Sequence, residues 1–178
     1  MSGWRLILAL SSLAMVASLP ALAATRPLEA RLIGPEVLPA GIKTKSWRFT
    51  TVASGDLQYL PTVGRISGAE VQYDNVLGYR SKSELPFMSV RIRLVRFKTQ
   101  AAAHRAFLGG RTHLKLSPWG RLGHESARRT KPVSGLPYES SVVTTLWRFR
   151  DIVAVAVNGG SDRQLRERIL RAQQERLR

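Results

Sequence analysis

The chain has 178 residues and a formal net charge of +16, because 28 lysine and arginine residues face only 12 acidic ones. It contains no cysteine, which excludes disulfide bonds, thiolate metal ligands, a cysteine nucleophile and a lipid-modified cysteine anchor. The positive charge favours acidic partners, although an arginine-rich proteome would produce the same excess without a functional role.

Residues 1–23 have the features of a secretory signal peptide. Arg5 precedes an apolar stretch that is interrupted at Pro20, and Ala21-Leu22-Ala23 has the small-x-small pattern that a signal peptidase cleaves. A retained membrane anchor would need about 20 uninterrupted apolar residues. We therefore expect cleavage near Ala23, a periplasmic or secreted mature protein, and no transmembrane segment after cleavage.

The remaining chain has the size of one compact domain that folds without disulfide bonds. Residues 24–46 contain three prolines and two glycines, which predicts an extended leader that buries its leucines and isoleucines. A short helix from Glu29 to Ile33 is the alternative. Residues 47–178 are predicted to form a single α+β domain.

The first half of this domain is predicted to be rich in strands. Trp47 to Val52 alternates like a strand. Gln58 to Val63 is predicted to be a short edge strand, and Gly78 to Lys82 a third strand. Ser67 to Val76 is instead assigned to a weak helix, although its apolar residues do not form a good stripe.

The clearest predicted strand runs from Met88 to Phe97. Its even-numbered residues from 88 to 94 are apolar, while Arg91 and Arg93 point the other way. The pattern predicts one core face and one basic face.

A helix is predicted to follow, with Thr99 as its N-cap and Gly109-Gly110 as its end. It is rich in alanine, the best helix-forming residue. Arg111 to His124 is predicted to be a loop, and Glu125 to Thr130 a short strand.

The last part of the domain predicts two paired strands and a helix. The strands are Tyr138 to Phe149 and Ile152 to Asn158, and the second is apolar on both faces, as expected inside a sheet. Ser161 is predicted to cap a helix from Asp162 towards Leu177. Six arginines lie on this helix: Arg163, Arg166, Arg168, Arg171, Arg176 and Arg178.

This order predicts an α+β fold. We expect an antiparallel sheet of about four to six strands, with the alanine-rich helix and the C-terminal helix packed on one face.

The sequence shows no catalytic, cofactor-binding or metal-binding motif. His104, His113 and His124 lack the i, i+4 spacing that places two imidazoles on one helix face, and there is no G-x-S-x-G, P-loop or dinucleotide-binding motif. We therefore predict a protein that is not an enzyme and has no cofactor. The alternative is an envelope hydrolase that joins serine or acidic groups to one of these histidines.

The strongest local signal is the segment from Leu85 to His124, which contains no acidic residue. Basic side chains near an aromatic ring can bind phosphate groups. The candidate anion-binding residues are Arg91, Arg93, Arg96, Lys98, Arg111, Lys115, Trp119 and Arg121.

From Trp47 onwards, the order of these patterns resembles the small exported PsbP/LpqN-like (Mog1-like) class. The resemblance rests on a strand ending in Arg96-Phe97, the alanine-rich helix, Gly123-x-x-Ser126, and a late hairpin with a closing helix. It implies an α+β accessory or binding domain without catalytic residues. This chain lacks the lipid-anchoring cysteine that is common in the class.

The expected function is therefore an exported, non-catalytic accessory or binding protein. Its basic strand face and C-terminal helix would contact an acidic envelope component, such as a lipid headgroup, a surface polymer or a protein. An extracytoplasmic nucleic-acid-binding protein is a further alternative, which we expect less.

Overall fold

The computed structural model describes residues 26–38, 43–50, 60, 63–74, 88–134, 140–160 and 162–178. The predicted signal peptide and the predicted strand from Gly78 to Lys82 lie outside these residues, as does most of the segment from Gln58 to Val63. Within the described residues, no helix is long and apolar enough to cross a membrane.

The described residues form two short 3-10 turns, an antiparallel sheet and two α-helices. The 3-10 turns are Leu28–Arg31 and Pro35–Val37. The other elements are β1 (Lys43–Thr50), β2 (Arg65–Asp74), β3 (Met88–Phe97), α1 (Gln100–His113), β4 (Ser117–Pro118), β5 (Glu125–Val133), β6 (Ser140–Phe149), β7 (Ile152–Gly160) and α2 (Arg163–Leu177).

The strands lie in the order β1-β2-β3-β7-β6-β5-β4, and every neighbouring pair is antiparallel. The α+β class, the antiparallel sheet and the C-terminal helix are thus confirmed, and only the two-residue β4 exceeds the expected six strands. β7 lies between β3 and β6 and buries both of its faces, which explains why its sequence is almost continuously apolar.

The two helices lie on opposite faces of the sheet, so the expectation that both pack on one face was wrong. Along β7, Val153 and Val155 belong to the core beneath α1, whereas Ala154 and Ala156 belong to the core beneath α2. Successive residues of a strand point to opposite faces. The continuous run of apolar residues from Ile152 to Val157 therefore requires a cover on each side.

The predicted helix over residues 67 to 76 was wrong, because the structure has the strand β2 there. The segment from Arg65 to Asp74 pairs with β1 on one side and with β3 on the other. Ala69, Val71 and Tyr73 are all buried on one face, which is the two-residue period of a strand. Pairing with two neighbours outweighs a weak local preference for helix.

The helix boundaries also differ from those predicted. Thr99 caps α1, with its side chain accepting a hydrogen bond from the Ala102 backbone N–H at 3.1 Å, but α1 continues through Gly109-Gly110 to His113. Two helical glycines cost only about 1 kcal/mol each, which packing can offset. At α2 the N-cap is Asp162, which accepts from the Leu165 backbone N–H at 2.8 Å; Ser161 lies outside the described residues.

The predicted burial of the leader is confirmed where the structure describes it. Leu28, Leu32, Ile33 and Leu38 are buried in the core beneath α2. The Tyr73 hydroxyl donates a hydrogen bond to the Ile33 carbonyl, and burial raises the pKa of Tyr73 to about 12. The leader therefore packs between β2 and α2 as part of the domain.

Candidate anion-binding surface

The eight predicted anion-binding residues do not come together. Arg91 and Arg93 lie on the α1 face of β3, where both contact Glu70 of β2. Arg93 is buried and bonds to the Glu70 carboxylate through Nε, while Arg91 lies 3.7 Å from that carboxylate and donates to Gln72 Oε1 at 2.8 Å. The basic face expected for β3 is therefore largely an internal charge network.

Arg96 lies on the opposite face of β3 from Arg91 and Arg93, and it also has internal partners. Its Nε is 3.6 Å from the Asp151 carboxylate, and its Nη2 donates to the Arg26 carbonyl at 3.3 Å. Only 12% of its side chain is exposed. Arg96 connects the leader to the β6–β7 turn. Little of its side chain is therefore accessible to an external partner.

Lys98, Arg111 and Lys115 lie at the two ends of α1. Lys98 precedes the N-cap Thr99, Arg111 lies in the last turn of the helix, and Lys115 follows its end. A helix of 14 residues is roughly 21 Å long. These three cations therefore cannot hold one small anion together, although Lys98 and Lys115 are exposed.

Trp119 and Arg121 lie instead beside α2. The Trp119 ring packs against the core beneath α2, with the Arg128 guanidinium 4.3 Å and the Arg121 guanidinium 5.7 Å from its centroid. Arg128 also donates from Nη1 to Glu167 of α2 at 2.7 Å. Of the eight predicted residues, these two adjoin further arginines that the prediction did not include.

The outer side of α2 carries those further arginines. Arg163, Arg168 and Arg171 are exposed there, and we call these three residues the α2 arginine surface. A shallow groove of about 700 Å³ runs along them. The six arginines of this helix were visible in the sequence, but only the folded helix shows which of them face outwards.

The acidic residues beside the α2 arginine surface are already engaged. Glu167 pairs with Arg128, and Glu175 pairs with Arg178 at 3.1 Å. Beyond the helix, the Glu36 carboxylate of the leader accepts from Arg176. From its N-cap Asp162 to Arg178, the helix carries six arginines against three acidic residues, so it keeps an excess of positive charge.

The three histidines do not form a metal site. His104 Nδ1 lies 2.9 Å from Glu125 Oε2, His124 stacks on Phe149 with 5.3 Å between ring centroids, and His113 is exposed in the last turn of α1. Among the described residues, no group of three or more histidines and acids is placed to hold a metal ion.

Glu125 is the centre of a small polar cluster on the α1 face. Burial tends to raise its pKa, but hydrogen bonds from Arg148 and His104 outweigh this and hold the pKa of Glu125 below its ordinary value of 4.5. Arg148 Nε donates to the same oxygen that contacts His104, at 2.6 Å. The carboxylate is therefore stabilised in its charged form and links α1 to β6.

Glu125 should make the stability of the protein depend on pH. Its lowered pKa stabilises the folded state above pH 4.5, and this contribution is lost as the pH falls through the lower folded-state pKa. We expect Glu125→Gln to reduce the free energy of unfolding at pH 7 and to approach the wild type as the pH is lowered from 4.5 through the folded-state pKa. Urea denaturation across this range measures the difference. Glu175→Gln, at an exposed ion pair, is the control, and a difference that stays constant with pH would contradict the assignment.

No known protein-family model matches this chain, and no curated protein matches it significantly.

Proposed function

We propose that this is an exported, non-catalytic accessory protein that binds an anionic component of the cell envelope through the α2 arginine surface. The observation that carries the proposal is the exposure of Arg163, Arg168 and Arg171 on one side of a helix whose glutamates are already paired. The resemblance to the PsbP/LpqN-like class, and the export suggested by residues 1–23, support the same proposal.

The packing of α2 suits it for this role. Leu165, Ile169, Leu170 and Leu177 are buried against the sheet, so the helix presents its outer side without folding on binding. Guanidinium groups form charge-assisted hydrogen bonds with phosphate and carboxylate oxygens. Three of them on one rigid helix can contact several anionic groups of a polymer or a lipid surface at once.

Salt-dependent binding to anionic vesicles tests the proposal. The wild-type chain should bind phosphatidylglycerol vesicles at about 0.05 M salt and release them at about 0.5 M, where charge interactions are screened. The variant Arg163→Gln, Arg168→Gln, Arg171→Gln should lose most of this binding. A control variant, Lys98→Gln, Arg105→Gln, Lys115→Gln, removes the same charge from exposed positions around α1 and should retain it.

Two outcomes would contradict the proposal. Binding that is absent at low salt, or insensitive to salt, would remove its electrostatic basis. Equal loss in the two triple variants would show that the net charge matters and the α2 arginine surface does not.

A soluble polyphosphate competitor distinguishes a polymer partner from a lipid partner. If the partner is a polymer, the protein should bind polyphosphate in preference to vesicles.

A hydrolase is the second candidate, and the pair His104–Glu125 favours it. A carboxylate that contacts one imidazole nitrogen can orient the ring as a general base. In the described part of the chain, however, no hydroxyl group is hydrogen-bonded to His104. Alanine substitution of each histidine, followed by a screen of ester and glycoside substrates, tests this candidate. A hydrolase would show an activity in the wild type that His104→Ala abolishes.

A further inference from the structure

Four polar side chains from four elements lie where the first turns of α2 cover the sheet. They are Arg128 of β5, Thr145 of β6, Asn158 of β7 and Arg166 of α2, and we call them the buried polar quartet. Arg128 is the cross-strand partner of Thr145, and Asn158 lies two residues from Ala156, the partner of Thr145 on β7.

Arg166 is the member of the quartet that α2 contributes. Its Nη1 donates to the carbonyl of Gly160 at 2.6 Å, two residues beyond Asn158 on the same strand. Glu167, the next residue on α2, accepts a hydrogen bond from Arg128 at 2.7 Å, so Arg128 contacts the turn of α2 that carries Arg166. The sheet and α2 thus enclose the quartet from opposite sides.

Each member of the quartet has a buried polar atom without a hydrogen-bond partner among the described residues. These atoms are Arg128 Nε, Thr145 Oγ1, both side-chain polar atoms of Asn158, and Arg166 Nε. Thr145 and Asn158 are completely buried, and Arg166 is 8% exposed. The strand neighbours of Asn158 are Val90 and Val143, which offer no polar side chain.

The chemistry of these atoms favours a tetrahedral oxyanion. Donors outnumber acceptors, since the two Nε–H groups and the Asn158 amide N–H₂ can only donate, and the Thr145 hydroxyl can do so. The guanidinium groups of Arg128 and Arg166 lie near the carboxylates of Glu167, which Arg128 already binds, and Asp162, which caps α2. A phosphate group offers four oxygens at the corners of a tetrahedron, whereas a carboxylate offers two oxygens in one plane.

We propose that the buried polar quartet binds a phosphate group, either free inorganic phosphate or the phosphate of a small glycerophosphate headgroup. This site is distinct from the α2 arginine surface, because Arg166 faces the sheet whereas Arg163, Arg168 and Arg171 face outwards. The anion would accept from the two Nε–H groups, the Asn158 amide and the Thr145 hydroxyl. The Trp119 ring lies beside this site, with its centroid 4.3 Å from the Arg128 guanidinium.

Titration calorimetry with inorganic phosphate, at constant ionic strength maintained with chloride, tests this proposal. We expect saturable binding by the wild-type chain. Asn158→Leu and Thr145→Val retain side-chain size and both arginines, and each should weaken binding about tenfold or more, the value of one hydrogen bond to a charged group. Circular dichroism and urea denaturation establish that the variants fold.

The matched control is the α2 surface variant Arg163→Gln, Arg168→Gln, Arg171→Gln, which should bind inorganic phosphate like the wild type. If it fails on vesicles but binds phosphate, the two proposals are separate and both stand. Glycerol phosphate in a second titration identifies the source, since tighter binding than inorganic phosphate indicates a headgroup and weaker binding indicates the free ion.

The proposal would be overturned if phosphate binds no better than chloride, or if Asn158→Leu and Thr145→Val bind phosphate as tightly as the wild type does. Either result would assign the unpartnered atoms to ordinary internal hydration. Loss of phosphate binding only in the α2 surface variant would also overturn it, because the ion would then bind outside the quartet.

Discussion

Replacing Glu70 with glutamine is expected to destabilise the protein by about 3 kcal/mol or more. The Glu70 side chain is 2% exposed and that of Arg93 is 8% exposed, and their ion pair joins β2 to β3. Glutamine keeps the size of the side chain but removes its charge. The guanidinium of Arg93 would then be buried without its carboxylate, and Arg91 would lose the same counter-charge.

Urea denaturation at pH 7 measures this loss, and the double variant Glu70→Leu, Arg93→Met provides the decisive comparison. Replacing both members of a buried pair with apolar residues of similar size is often neutral. We therefore expect the double variant to recover most of the stability that Glu70→Gln loses. A double variant less stable than Glu70→Gln would show that the pair contributes more than its burial costs.

Replacing Phe107 with alanine is expected to cost about 3–5 kcal/mol. Phe107 is 2% exposed in the core between α1 and the sheet, where it packs with Val95, Val153 and Val155. Removing the ring leaves a cavity that neighbouring backbone cannot fill. The loss should appear as a lower midpoint of thermal or urea unfolding.

The adjacent Leu108 supplies the matched control. It lies on the outer side of α1 and is 37% exposed, so Leu108→Ala should cost about 1 kcal/mol or less, as surface substitutions usually do. Similar losses for Phe107 and Leu108 would contradict the packing of α1 on its own face of the sheet.

Not all of the arginines that contribute to the net charge are exposed on the surface. Arg93 and Arg166 are buried, and the Arg96 side chain is only 12% exposed, so these arginines are not available to an external partner. The candidate surface is instead found on α2, where Arg163, Arg168 and Arg171 are exposed.

The sequence by itself determined the strands with a clear alternation and the helices with strong caps. Met88 to Phe97 and the strand ending at Phe149 were recognisable because alternation with a period of two directly reflects burial on one face. The strand that begins at Ile152 was recognisable because a short, continuously apolar run is typical of a strand buried on both faces. The N-cap Thr99 was recognisable as well, since capping depends on a contact within three residues. These features are local, and they were sufficient to predict an α+β class.

Only the tertiary structure decided the features that depend on distant residues. β2 became a strand because β1 and β3 offered hydrogen-bond partners, and the helices took opposite faces because β7 is apolar on both. The eight predicted anion-binding residues were separated for two reasons. Arg96 points to the opposite face of β3 from Arg91 and Arg93, and the length of α1 keeps Lys98 away from Arg111 and Lys115. The buried polar quartet could not be read from the sequence, since its four residues come from four elements that meet only when α2 packs on the sheet.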